Sequence, residues 1–307
     1  MPFLIIVSSA ALFLQLFWLA TPYLSMHWGN VEAPMWRHVT TFPGENAGES
    51  FDVIMIGDSR SKAAWFPDKT KSHVNLSLGG GTPIEAYKLL KMLYDKDIKI
   101  KKLLLSFSPY HLMKENSYFE RTVNFQFISI WEHLYLRYQS YIMDDYGVLR
   151  EKASYWDYAL PGGKVDQIAA SFDGKRSKLN HALLEMLTEN RGHTFYGRAE
   201  GSSQLFEEFL LQPMKFEFSP VLDMLLTKTI ELAQSKNTEV YWVYTPFNAS
   251  SCKMLPKPYI EAYTSYLRDL KIRKLNQFGC FPDEMFGDPS HLFKGAPYFT
   301  QALNQLL

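Results

Sequence analysis

Cysteine is scarce in this chain, with two among 307 residues, and that excludes a disulfide-dense miniprotein and a Cys-rich zinc site. A charge excess of either sign is also missing, because 32 Lys and Arg balance 32 Asp and Glu. Nucleic-acid binders carry a basic surplus that neutralises phosphates, so nucleic acid is not an expected partner. No block of like charges occurs, which removes acidic tails and long disordered arms. HExxH and CxxC are absent, and the histidines other than His291, among them His73, His181 and His193, lack metal-ligand spacing, so no metal is expected. A phosphate could rest on Gly79-Gly80-Gly81 before a helix N-terminus. No P-loop or GxGxxG pattern accompanies it, so no nucleotide cofactor is expected. What remains, 47% hydrophobic and 21% charged, is the balance of a folded globular chain with ample material for a core.

One further absence carries positive information. Met1–Asn30 contains no Asp, Glu, Lys or Arg, and Phe3–Leu24 is almost wholly apolar, with Gln15 its one strongly polar side chain. A hydrocarbon core of ~30 Å takes about 20 helical residues. The stretch therefore predicts an uncleaved transmembrane anchor over residues 1–25, with Trp18, Tyr23 and Trp28 as interfacial aromatics. A cleaved signal peptide is the rival, but Trp18-Leu19-Ala20 is a poor small-x-small site. A buried core helix of this length would show a polar face. Arg37, following the segment, counts towards a cytoplasmic body. Cys252 and Cys280 count the other way if they pair as a disulfide, and not at all if they are two unrelated buried thiols.

Residues 26–50 show no helical or strand period and read as a linker. From Phe51 onward short apolar strands alternate with helices. Asp52–Ile56 is a buried parallel strand by pattern, stopped by Gly57, and His73–Leu78 is a second, stopped by Gly79. Thr82, Pro83 and Glu85 open a helix running to about Asp95, with threonine at the cap, proline next and glutamate three residues on. Lys102–Phe107 is the third strand. Residues 115–215 break the rhythm with Phe125, Phe127, Trp131, Tyr135, Tyr138, Tyr141, Trp156 and Tyr158 and a turn at Pro161-Gly162-Gly163. They read as a largely helical insertion whose aromatics serve packing, sugar stacking or contact with a membrane partner. Beyond it Ser219 caps a helix to about Ser235, Glu239–Thr245 is a strand, and a helix runs from about Pro258 to Gln277. Asp288–His291 is a loop, and Gly295–Leu307 a closing helix. The alternation predicts an α/β fold, a parallel sheet covered on both faces, with ligands beyond the carboxyl ends of its strands.

The chemistry concentrates at two places. Gly57-Asp58-Ser59-Arg60 directly follows a buried strand, where a sharp turn projects a serine at the edge of the sheet. A serine hydroxyl needs a base, and the base an orienting partner. Asp288-Pro289-Ser290-His291 supplies both just before the last helix. The expected roles are nucleophile Ser59, general acid/base His291 and orienter Asp288. If His291 is the base, activity falls once its imidazole takes a proton. Arg60, beside the nucleophile, meets either an anionic substrate or only a helix face.

These segments resemble the SGNH/GDSL hydrolase family. Its first block matches Gly57-Asp58-Ser59, its second Asn75-Leu76-Ser77-Leu78-Gly79-Gly80, and its last Asp288-Pro289-Ser290-His291. The resemblance spans about residues 51–110 and 219–307 and implies a three-layer α/β/α catalytic domain over 51–307. It also implies an oxyanion hole made by the Ser59 N–H, a glycine N–H at Gly79 or Gly80, and an asparagine from a GxND block. The last is missing: after the third strand the chain reads Ser106-Phe107-Ser108-Pro109-Tyr110-His111. Ser108, Tyr110 or His111 could line the site, or two backbone donors suffice. With an anchor and this altered third block, the chain is similar to the extracytoplasmic partners of membrane-bound O-acyltransferases, namely the teichoic-acid D-alanyl transfer protein and the alginate O-acetylation proteins. That branch implies a cell-membrane location with the body outside and a polytopic acyltransferase as partner. It also implies transfer of an acetyl or D-alanyl type group onto a cell-envelope polysaccharide or teichoic-acid-like polymer through an acyl-serine. An esterase or deacetylase, and a non-catalytic polymer-binding subunit, are the competing expectations.

Overall fold

The computed structural model describes residues 5–10, 12–13, 16, 30–114, 118–145, 174–196, 215–270 and 272–307. The described residues form seven strands: β1 (Ser50–Gly57), β2 (His73–Asn75), β3 (Lys99–Ser106), β4 (Glu239–Trp242), β5 (Phe247–Asn248), β6 (Arg273–Lys274) and β7 (Cys280–Phe281). The main sheet is parallel in the order β2-β1-β3-β4-β6, and β5 and β7 form a separate parallel pair. Chain direction across the sheet reverses at β1 and β3, which run in full register from Ser50 opposite Lys99 to Gly57 opposite Ser106. A doubly wound sheet has its crevice at such a switch point.

Alternation along the strands divides the core in two. Val53, Met55, Leu104, Tyr241 and Val243 face one cluster, completed by Phe299 and Leu303 of α10 (Ala296–Asn304). Ile54, Ile56, Leu103, Leu105 and Trp242 face the other. There they meet α3 (Pro83–Tyr94), α7 (Pro220–Ser235) and α9 (Lys257–Asp269). Helices therefore cover both faces of the sheet, as expected. The signals for two of these helices also hold at atomic level. Thr82 and Glu85 form a capping box at α3, and the Ser219 hydroxyl accepts from the Leu222 N–H at α7.

The linker reading of 26–50 is corrected. Ala33–Glu45 form α1, with Met35, Trp36, Val39 and Phe42 buried. Trp36 stacks on Phe125 at 5.2 Å between centroids and meets Phe127 edge-on at 5.4 Å. The second strand is shorter than predicted, yet the Leu76 and Leu78 N–H groups still donate to the Met55 and Gly57 carbonyls, at 2.8 and 2.9 Å. The predicted helix from Pro258 to Gln277 ends at Asp269, and β6 pairs with β4 inside that span.

The short helix α4 (Tyr110–Met113) leads into the insertion, whose described regular elements are helical: a π-turn over Tyr118–Val123, α5 (Ile130–Ile142) and α6 (Gly174–Glu189). Phe125 and Phe127 are core residues, whereas Trp131, Tyr135, Tyr138 and Tyr141 are exposed. Trp156, Tyr158 and the Pro161-Gly162-Gly163 turn lie outside the described residues. So does most of the predicted anchor, of which residues 5–10, 12–13 and 16 are helical and exposed. Among the described residues no helix is long and apolar enough to cross a membrane.

Candidate active site

β1 ends where a side chain has no room. A Cβ at Gly57 would lie 2.0 Å from the Ser106 carbonyl oxygen and 2.5 Å from Ser61 Oγ. Asp58 follows and caps α2 (Ser59–Ala64), its Oδ1 accepting from the Arg60 and Ser61 N–H groups at 3.0 and 3.4 Å. Its Oδ2 accepts from the Ser108 N–H at 2.7 Å and from His111 Nδ1 at 2.9 Å. Burial alone would raise this carboxyl, but the His111 bond and charge, the Ser108 N–H and Arg60 together hold it below the usual carboxylate range. An ionised Asp58 only accepts, so His111 carries its proton on Nδ1. One buried carboxylate thus ties the turn after β1 to the loop after β3 and leaves Ser59 as the first residue of α2.

The second segment arrives from the far end of the chain. His291 Nε2 lies 2.7 Å from Ser59 Oγ across 232 positions. Its Nδ1 lies 2.9 and 2.8 Å from the two Asp288 oxygens. Asp288 Oδ1 also accepts from the Ser290 and His291 N–H groups, both at 2.8 Å, which folds the loop back on itself. Burial would raise the Asp288 carboxyl, but the His291 bond and charge and these two N–H groups outweigh it and hold it below the ordinary value. An acceptor on Nδ1 fixes the tautomer, so the Nε2 lone pair faces the serine hydroxyl. Three residues chosen for chemistry alone therefore meet in hydrogen-bonded series.

The remaining predicted residues divide. The Gly79 N–H donates to Met35 Sδ at 3.1 Å. Gly80 adopts φ +65°, and this left-handed turn calls for glycine; the atom nearest its Cβ position, at 2.1 Å, is a guanidinium nitrogen at the flexible end of Arg121. Arg60 is held inside, 4% exposed, with one guanidinium nitrogen 3.4 Å from the Pro246 carbonyl and its carbon 4.2 Å over the Phe247 ring. Ser108 is engaged by Asp58 through its N–H, and its Oγ lies 3.3 Å from His111 Nδ1. Tyr110 lies edge-on to His111 at 5.6 Å.

Two neighbours were not foreseen. Tyr196 stacks on the His291 ring, 4.6 Å between centroids and 27° between planes, and its hydroxyl donates to Met35 Sδ at 2.9 Å. Met35 was legible in retrospect, since Met35, Trp36, Val39 and Phe42 recur at helical spacing. Tyr196 carries no sequence signal. Nearby, Arg121 pairs with Glu32 through Nε at 2.9 Å and a terminal nitrogen at 2.6 Å.

Cys252 and Cys280 form a disulfide. It joins α8 (Ala249–Met254) to β7, and the Asn248 side chain that caps α8 also donates to the Pro289 carbonyl at 3.0 Å. The bond thus anchors the helix whose capping residue touches the loop that carries His291. No protein-family model and no curated protein matches this chain.

Proposed function

We propose that the protein is a membrane-anchored, SGNH-like serine acyltransferase whose body lies outside the cytoplasm. It moves an acetyl or D-alanyl type group onto a cell-envelope polysaccharide or teichoic-acid-like polymer. The observation that carries this reading is the series Ser59 Oγ, His291 Nε2 and Asp288 at hydrogen-bond distances beyond the carboxyl end of β1. The block resemblance, the parallel sheet with helices on both faces, and the helical insertion support the SGNH-like assignment. The disulfide supports an oxidising compartment, and the uncharged apolar stretch at the N-terminus supports the anchor.

In this reading Ser59 Oγ gives its proton to His291 Nε2 and bonds to the acyl carbonyl carbon, whose π pair moves to oxygen. Collapse expels the donor's leaving group, which takes that proton, and an acyl-Ser59 ester remains. A polymer hydroxyl then gives its proton to Nε2 and attacks the same carbon, and the serine oxygen leaves with the proton. A polytopic membrane-bound O-acyltransferase supplies the acyl donor. Mass spectrometry of the protein isolated from cells should find an acyl adduct on Ser59, and Ser59→Ala should abolish polymer acylation. Normal acylation by Ser59→Ala would refute the reading. Hydrolysis of esters by the parent protein without transfer to a sugar would assign it to the esterases instead.

A further inference from the structure

An oxyanion hole needs donors aimed at one point, 2.7–3.1 Å from where the oxygen will carry charge. Beside the triad two donors already meet at one atom. The Gly79 N–H and the Tyr196 hydroxyl converge on Met35 Sδ, at 3.1 and 2.9 Å. The Tyr196 ring is stacked on His291, the imidazole bonded to Ser59. A thioether is a weak acceptor, so it satisfies these donors at little cost and yields to a charged oxygen, whose hydrogen bonds are roughly twice as strong as neutral ones. Three rotatable bonds let the Met35 side chain withdraw without moving α1.

The geometry points to Tyr196 as a catalytic donor to the carbonyl oxygen of the reacting acyl group, with the Met35 sulfur holding that position in the resting chain. This rests on the reading of Ser59 as the nucleophile. It gives the site the side-chain donor that its third block, without an asparagine, lacks. Tyr196 as a residue is 36% exposed; desolvation of the phenol, with the Glu32 carboxylate nearby, still pushes it above its ordinary value, so it stays a donor across the physiological range. The Ser59 N–H, first in α2 and without an intrahelical acceptor, would complete the set.

The test measures acylation of the full chain by p-nitrophenyl acetate and the rate at which a fluorophosphonate probe labels Ser59. Tyr196→Phe keeps the ring on His291 and removes only the hydroxyl. It should slow both by ~10²–10³-fold with KM about unchanged, while the acid limb of the pH profile stays in place. Tyr196→Leu, which removes ring and hydroxyl, should be no faster than Tyr196→Phe. A Tyr196→Phe protein within twofold of the parent overturns the proposal, and does so most directly if Tyr196→Leu is slow, since stacking would then be the ring's sole contribution. Ser59→Ala separates the two readings. If it is inert while Tyr196→Phe is fully active, the nucleophile stands and the tyrosine donor falls. A parent chain that the probe leaves unlabelled overturns both.

Discussion

Asp288 serves two ends with one carboxylate, and the two can be separated. Its Oδ1 accepts from the Ser290 and His291 N–H groups, which an asparagine oxygen would still do. The amide of Asp288→Asn would, however, turn an N–H towards His291 Nδ1 and favour the opposite tautomer. We expect that variant to fold normally and to acylate Ser59 on the order of 10⁴-fold more slowly, measured as single-turnover acylation. Lys62 makes a different residue-scale case. It is fully buried, its Nζ donating to the Ser77 carbonyl at 2.7 Å, and burial lowers its pKa to about 7. Below pH 7 both folded and unfolded chains hold the proton, and folding carries the whole cost of burying the charge. Between about 7 and the ordinary value of 10.5, only the unfolded chain keeps the proton, so this group makes stability rise with pH through that window. Lys62→Met should raise stability at pH 6 by on the order of 1 kcal/mol or more and flatten the rise, as urea midpoints at several pH values would read. The sequence exposed Ser59, Asp288 and His291 because their chemistry demands particular residue types. It hid Lys62 and Asp58, whose roles depend on what surrounds them after folding.

The least legible element was α1. Pro34, Pro43 and Gly44 punctuate Ala33–Glu45, and Glu32 provides no side-chain cap, so local signals read as a linker. The apolar spacing was present but short, and the helix is held by what lies across it, Phe125 and Phe127 against Trp36. Tertiary packing, rather than propensity, makes this helix. Trp36→Ala should therefore cost about 3–5 kcal/mol. Because α1 also carries Met35, the same variant should change access to Ser59, read as an altered fluorophosphonate labelling rate at a temperature where the protein remains folded. β6 was hidden for another reason. Arg273–Lys274 is charged, only two residues long and paired to the outer side of β4 alone, so it carries no alternation to detect. By contrast α3 and α7 were legible to within a residue because their caps are local chemistry: a Thr-Pro-x-Glu box and a Ser-Pro start.

Across the whole molecule, the question is how positions 232 apart come within bonding distance. The sheet places Ser59 beyond β1, and the terminal helix α10 docks onto the segment just after it. Trp65 Nε1 donates to Asn304 at 3.1 Å, the Phe66 N–H to Thr300 Oγ1 at 2.9 Å, and Thr300 Oγ1 to the Ala64 carbonyl at 3.2 Å. The βα rhythm made the docking of a last helix foreseeable, but these three bonds were not, since each joins residues far apart in the chain. The loop before α10 is held from the other side by Asn248, which caps the helix that the Cys252–Cys280 bond ties to β7. That bond spans 28 positions, for which loop-closure entropy gives ~3–4 kcal/mol. Replacing both cysteines with serine should then lower the melting temperature by roughly 5–6 °C. If the disulfide also braces the catalytic loop, acylation of Ser59 should fall well below the melting transition, whereas Tyr196 stacking and α10 docking alone would keep the rate at the parental level. Near-ultraviolet circular dichroism and labelling rates followed together through a temperature ramp would separate loss of the loop from loss of the fold.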